Sequence, residues 1–288
     1  MKKWTRDKSS DQGRAERHRD ILAFCHIGKT GGTTLIHVLR RNFVFQYCDV
    51  EPIGCPEKKE LGPEDLQCIF RINPFIRCIG GHKIRPYAGL HKYYPGMRYI
   101  GIFRDPVDRT ISQYQQRVAK YGHISFEEFL KRPWLPNLQT RFVAGSEDLD
   151  RAKELIERNY ILAGTLDRFD EFLAVLSCIL GHGRFDPRYV RKRVQRNKEE
   201  KQRISYQYAD DIREINSLDI DLVRHVREEV FPKARYAYES KVDKVLDTMS
   251  QSSRAVRTKM AMLGYMDYLM RKAYYRPMFA VTTKVVSR

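Results

Sequence analysis

An apolar run, Ile21-Leu22-Ala23-Phe24-Cys25, passes directly into His26-Ile27-Gly28-Lys29-Thr30-Gly31-Gly32-Thr33-Thr34, and Leu35, Val38 and Leu39 follow at helical spacing. That order predicts a buried strand that turns through a Lys/Gly/Thr loop into an amphipathic helix. The turn limits what can surround it. Unpaired N–H groups at a helix N-terminus converge on one spot, the helix dipole adds positive potential, and glycines allow close approach, so the junction is built for an anion. Lys29 and the threonines complete the cradle. A ligand-free Gly-rich turn is the bland alternative, and a lysine with three threonines is poor chemistry for one.

The register of this loop differs from the Walker A pattern, G-x-x-x-x-G-K-[ST]. The position that Walker A gives to its first glycine is Ala23, inside the strand, and the paired glycines come after Lys29 rather than before it. A loop with its flexible residues after the lysine suits a single phosphate-like group better than a wrapped triphosphate. A P-loop kinase or NTPase is therefore the second choice among enzymes. No acidic strand end for Mg²⁺ supports it.

Further strands are expected at Phe75 to Ile79, Arg98 to Phe103 and Tyr160 to Ala163, each short, apolar and bounded by glycine, proline or charge. Helical spacing covers 33–42, 106–119 and 168–180, and Ser125 with Glu128 forms a capping-box pattern. Strands alternating with helices predict a P-loop-like three-layer α/β/α fold with a central parallel sheet. Residues 44–74, with four prolines, read as an irregular excursion. No internal repeat is present.

In parallel sheets ligands collect beyond the carboxyl ends of the strands, and two further strand ends carry chemistry. Arg104-Asp105-Pro106 follows the strand ending at Phe103, with Asp105 suited to a helix cap and Pro106 to its first turn. Arg104 and Ser112, two turns along, are candidates to share a phosphate. An Arg–Asp pair at a helix start is common on its own; position at the sheet edge gives it weight. Gly80-Gly81-His82 ends another strand, and His82, one of eight histidines, is a candidate proton acceptor for a hydroxyl.

Charge narrows the partners. The chain has 53 Lys+Arg against 36 Asp+Glu, a formal +17, which favours anionic partners without naming one. The excess concentrates in residues 1–20, 184–203 and 233–288. A basic nucleic-acid-binding module would explain the charge but not three aligned strand-end motifs. Residues 254–276 mix Val256, Met260, Leu263, Met266 and Met270 with Arg and Lys, a candidate for peripheral contact with an acidic membrane, with packing against the domain as the alternative. No apolar run is long enough for a bilayer span, and the polar N-terminus has no signal-peptide core, so a cytoplasmic chain is expected. The six cysteines form no C-x-x-C pair, which argues against zinc. Free thiols are the expectation, with disulfides among Cys48, Cys55, Cys68 and Cys78 left open.

Taken together, His26 to Leu35 resembles the phosphosulfate-binding loop of sulfotransferases that use 3′-phosphoadenosine-5′-phosphosulfate (PAPS). It is most similar to the H-I-P-K-T-G-G-T form of the heparan sulfate 2-O- and 6-O-sulfotransferase group, with Gly28 in the place of proline. Arg104 to Tyr114 resembles that group's R-D-P-x-x-R-x-x-S-x-Y motif at every fixed position, and Asn137 to Arg141 its N-x-Q-T-R segment. The resemblance spans about residues 20–230. It implies PAPS as donor, with Gly28, Lys29, Thr30, Gly31, Gly32, Thr33 and Thr34 on the 5′-phosphosulfate. Arg104 and Ser112 would hold the 3′-phosphate, with Arg196-Asn197-Lys198 closing over the nucleotide. Lys29 and His82 would be catalytic; Asn137, Gln139 and Arg141 would meet a hydroxyl-bearing acceptor, an anionic glycan in first place, with a lipid-linked or small-molecule hydroxyl as the alternative. No metal and no nucleic acid are implied. The corresponding organisation is a basic tail at 1–19, a catalytic domain at 20–235 and a basic, partly amphipathic extension at 236–288.

Overall fold

The structure is a computed structural model that describes residues 20–50, 60–181, 184–189 and 198–250, together with 258, 262, 265–266, 268–277 and 280. Five strands form its sheet: β1 (Ile21–Cys25), β2 (Tyr47–Asp49), β3 (Cys78–Gly81), β4 (Met97–Phe103) and β5 (Tyr160–Thr165). Their order is β2-β3-β1-β4-β5, and every pairing is parallel. In chain order the helices are α1 (Gly32–Phe43), α2 (Pro63–Ile72), α3 (Leu90–Tyr93), α4 (Pro106–Tyr121), α5 (Phe126–Leu130), α6 (Leu138–Ala144), α7 (Leu149–Asn159), α8 (Phe169–Leu180), α9 (Lys198–Ile215), α10 (Ser217–His225), α11 (Phe231–Tyr236) and α12 (Glu239–Ser250).

The central strand explains the three layers. All five residues of β1 are buried, and successive side chains point to opposite faces. Ile21, Ala23 and Cys25 join one core with α2, α6, α7 and α10. Leu22 and Phe24 join the other with α1, α8, Phe231 of α11, and Val242 and Val245 of α12. A strand covered on both faces must be apolar throughout, which is why its sequence is a continuous run rather than an alternation. A third cluster, away from the sheet, joins α4 through Val107, Ile111 and Tyr114 to α5 and to Ile204 and Ile212 of α9.

The expected strands at 21–25, 98–103 and 160–163 are found with small extensions, while β3 begins at Cys78 rather than Phe75. Phe75 is 71% exposed, and its N–H donates to Asn73 Oδ1 at 2.9 Å, so Pro74 and Phe75 make a polar turn before the strand. The region expected to be irregular, 44–74, contains β2 and α2. Pro63 stands at the first position of α2, where the missing N–H is harmless, and Asp65 accepts a hydrogen bond from the Gly62 N–H at 2.7 Å. The prolines there mark an element's start as well as its breaks.

Among the described residues, packing continues past residue 235. Val242 and Val245 lie in the same core as Phe172, and Tyr275 is buried with its hydroxyl donating to Val44 O at 2.8 Å. Tyr274 donates similarly to Phe45 O at 3.1 Å. Those residues of the C-terminal extension therefore pack against the domain. The five described cysteines, Cys25, Cys48, Cys68, Cys78 and Cys178, are free thiols.

Glycine is required in β3 by close packing. A Cβ at Gly80 would lie 2.4 Å from Tyr47 Oη and one at Gly81 2.5 Å from Val50 O, whereas one at Gly28 would meet only Gln113 Oε1 at 3.7 Å. Gly81→Ala is expected to cost about 1–3 kcal/mol of stability by overpacking against backbone. Gly28→Ala should change it by no more than about 1 kcal/mol in either direction. Urea-unfolding midpoints compare the two; equal losses would contradict the packing argument.

Candidate active site

The order β3-β1-β4 sets three strand ends side by side. Cys25 is registered against both Gly81 and Gly101, so the chain leaves β1, β3 and β4 at one edge of the sheet. His26 continues from β1, His82 from β3, and Arg104 from β4. Residues 56 and 75 positions apart meet there: His82 Nδ1 lies 2.7 Å from His26 O, and Arg104 Nη1 donates to Lys29 O at 3.0 Å.

The loop from His26 to Thr34 is held tightly. Thr30 is fully buried and spends its hydroxyl on Ile27 O at 3.0 Å, bracing the loop internally. Lys29 has φ 72° and Gly31 φ 83°, both left-handed, a conformation that a lysine adopts only where its surroundings enforce it. A Cβ at Gly31 would lie 2.5 Å from Leu166 Cδ1 and one at Gly32 2.0 Å from the His26 ring, so the glycines are demanded by sterics. No side chain caps the N-terminus of α1. Its leading N–H groups and dipole are thus directed at the loop's concavity, with Thr33 and Thr34 half-buried beside it.

His26 and His82 form a stacked pair with ring centroids 4.0 Å apart. Burial, and secondarily the His82 charge, lower the His26 pKa from 6.5 to about 3, so its ring stays neutral at physiological pH. His82 is exposed. Because a carbonyl only accepts, the Nδ1 of His82 donates to His26 O, and in the neutral ring Nε2 then carries the lone pair. That is the tautomer needed to take a proton from a hydroxyl.

Arg104 is clamped through its backbone. Gln139 Oε1 accepts from Arg104 N at 3.0 Å while Gln139 Nε2 donates to Arg104 O at 2.9 Å. Behind it, the buried carboxylate of Asp219 accepts from Gln139 N at 3.0 Å, Thr140 N at 2.7 Å and the Thr140 hydroxyl at 2.9 Å. Burial raises the Asp219 pKa, opposed by the charge of Arg109, a fully buried guanidinium on α4. Asn137, at φ 46°, accepts from Leu218 N at 3.1 Å and donates its own N–H to Asn216 Oδ1 at 3.1 Å. Ser112 lies on α4, half-buried, two turns beyond the Asp105 cap, whose Oδ1 accepts from Asp108 N at 3.0 Å.

A cleft of about 370 Å³ opens beside the loop, lined by Gly28, His82, Arg85, Gln113, Trp134, Leu138 and Phe142. Arg85 stacks its guanidinium 3.9 Å from the centre of the Phe142 ring. The expected acceptor contacts fare differently. Asn137 and Gln139 are buried and engaged internally, and Arg141 Nη1 donates to Pro133 O at 3.1 Å, steadying the turn that carries Trp134. All three lie outside the lining of this cleft. Arg196 and Asn197 fall outside the described residues, and Lys198 opens α9. Sequence reasoning missed Trp134, one of two tryptophans in the chain and the one signal that could have been followed. It also missed Arg85 and Asp219, which carry no local signature. Among the described residues, no cluster of three or more His, Cys, Asp or Glu could hold a metal, and no helix is long and apolar enough to cross a membrane.

A parallel α/β sheet that sets a Lys/Gly/Thr loop at a helix N-terminus, a histidine and an arginine at adjacent strand ends is an arrangement suited to an anionic ligand. The family model of sulfotransferases matches residues 15–270, and the chain belongs to the sulfotransferase family. Among curated proteins none matches. A solved structure, a sulfotransferase from Alicyclobacillus acidocaldarius, is similar at 14% identity, covering 76% of this chain and 99% of that one, with a TM-score of 0.42.

Two outcomes test the site's construction. Unfolded His26 takes up a proton near 6.5 and folded His26 only near 3, so falling pH between those values favours unfolding. The penalty approaches about 1.4 kcal/mol per pH unit for this group. His26→Gln should flatten the stability–pH slope between pH 6.5 and 5, measured by urea unfolding; an unchanged slope would contradict it. Gln139→Leu leaves both Arg104 backbone groups unpaired and is expected to destabilise the fold by about 1–3 kcal/mol.

Proposed function

We propose that the chain transfers the sulfuryl group of PAPS to a hydroxyl of a carbohydrate, with an anionic polysaccharide as the preferred acceptor. The observation that carries the reading is the convergence of Lys29, His82 and Arg104 on three adjacent strand ends through the Arg104–Lys29 and His82–His26 hydrogen bonds. The loop from Gly28 to Thr34 receives the 5′-phosphosulfate, with the α1 N-terminus supplying N–H donors. His82 Nε2 accepts the acceptor's hydroxyl proton as that oxygen forms its bond to sulfur. The bond from sulfur to the bridging phosphate oxygen breaks, and Lys29 stabilises the charge that develops on the departing 3′-phosphoadenosine-5′-phosphate. A positioned cation of that kind contributes several kcal/mol, and alignment contributes much of the remainder.

Arg104 and Ser112 bind the 3′-phosphate, and Lys198, with Arg196 and Asn197, completes the nucleotide site. Asn137 and Gln139 act at one remove, by fixing Arg104. The cleft supports a sugar acceptor: Trp134 offers an aromatic face for a pyranose ring, and Arg85 a cation for an acidic substituent. Five free thiols support a reducing compartment, the cytoplasm. Exposed Met262, Tyr265 and Met266, in a segment rich in Lys and Arg, support peripheral contact with an acidic membrane, readable as co-sedimentation with phosphatidylserine vesicles.

The test is a transfer assay with sulfur-labelled PAPS against a panel of glycans and lipids. Wild type should label an acidic glycan, and Lys29→Ala and His82→Ala should each lower kcat by about a hundredfold or more. Full activity in His82→Ala would remove histidine as the base. Product nucleotide should raise Tm more than ADP does; equal shifts would sink the PAPS reading.

A further inference from the structure

Outside the residues already discussed, Lys201 reaches the carboxylate that stands beside Arg104. Lys201 lies in the first turns of α9, and its Nζ approaches Asp108 Oδ1 on α4 at 2.5 Å. The other oxygen of the same carboxylate, Asp108 Oδ2, lies 3.7 Å from Arg104 Nη2. One carboxylate thus stands between two cations from different elements. The two contacts are unequal. The Arg104 pair, at 3.7 Å, is the looser of the two, while Nη1 is committed to Lys29 O. Burial lowers the Arg104 pKa, an effect that Asp108 opposes.

The charge count shows what Lys201 adds. Arg104 and Asp108 alone cancel, whereas a phosphate monoester carries about −1.5 to −2 at neutral pH. A neutral pair is a poor receptor for that charge. Asp105 adds a second negative charge near Arg104, which Lys201 offsets, and displacing the Asp108 carboxylate leaves Arg104 and Lys201 facing one anion. The position of α9 is fixed independently by Gln115 Nε2 of α4, which donates to Glu200 Oε2 at 3.2 Å, and by Ile204 in the third core cluster. Lys201 is therefore delivered by a packed helix, with its side chain 27% exposed.

We propose that Lys201 is a specificity-determining residue that, together with Arg104, recognises the 3′-phosphate of the nucleotide, and that Asp108 is the internal anion that this phosphate displaces. The inference rests on the PAPS reading and deepens it. Asp108 sets the selectivity: its negative charge opposes weakly anionic or misplaced ligands, and only a group with enough charge to engage both cations replaces it. A nucleotide with a 5′-phosphate alone has nothing to offer at this end and leaves the Lys201–Asp108 pair intact.

Calorimetric titration of the full chain with 3′-phosphoadenosine-5′-phosphate and with adenosine 5′-phosphate separates the possibilities. Wild type should prefer the bisphosphate. Lys201→Met should weaken the bisphosphate by about tenfold, the loss of one partly screened charge contact, while leaving the monophosphate unchanged. Lys201→Arg should retain most of the preference, and Asp108→Asn should tighten the bisphosphate alone by a few-fold, roughly, because the competing charge is gone. Lys201→Met that matches wild type, or that weakens both nucleotides equally, overturns the assignment while the PAPS reading stands. A wild type that binds the two nucleotides equally overturns the PAPS reading, and the assignment with it.

Discussion

The site depends on the parallel pairing of β1 with strands on both sides. Because Cys25 is registered opposite both Gly81 and Gly101, the residues that leave the sheet next share one small region of its edge. A slip of one residue in either ladder would send the exit in the other direction, since successive side chains face opposite layers. The alternation of β1 between two cores is what forbids the slip: moving Phe24 by one position would exchange its place with Ala23 or Cys25 in a core of different shape. The loop geometry is thus inherited from hydrophobic packing several residues away.

A second dependence runs through His26. Its ring fills the space that a side chain at Gly32 would need, stacks on His82, and presents its carbonyl to the His82 Nδ1. One neutral, buried imidazole therefore connects the start of α1 to the orientation of the proposed base. Its neutrality matters, because a charged His26 would repel a protonated His82 across 4.0 Å. The position reads in sequence as part of a phosphate loop, while in the structure it belongs equally to the acid–base group.

Legibility followed locality. β1, β4, β5 and the helices after the loop and after Asp105 could be read because each carries its pattern within a dozen residues. β2 could not, since three residues contain no period, and α2 was obscured by prolines that serve as its start signal. At the site, Arg104 and the anion loop were legible through strand-end position. The clamp of Gln139 and Asp219 was not, because it joins residues separated by 80 positions whose only shared property is burial. Gly28 yields to the same distinction. Its neighbours leave room for a side chain, so a glycine there reflects no steric demand, unlike Gly31 and Gly32. The basic composition also misleads as a surface property: Arg41 donates to Asp186 O at 2.6 Å and Arg188 O at 2.5 Å, and Arg168 and Arg235 share Glu171, so part of the excess is structural.

The tyrosine pair near the end of the described chain has a consequence for the order of assembly. Tyr274 and Tyr275 satisfy the carbonyls of Phe45 and Val44, more than two hundred residues earlier, at the point where α1 ends. Contacts of such separation are the slowest to be rewarded during folding, because most of the chain must be ordered before they form. The far end of α1 is tied first to Asp186 and Arg188 through Arg41 and Asn42, and the two tyrosines add the last contacts there once residues near 275 have been synthesised. Chains shorter than that lack the hydroxyl that the Val44 carbonyl accepts from, while the Phe45 carbonyl still has Asn73 Nδ2 as a donor.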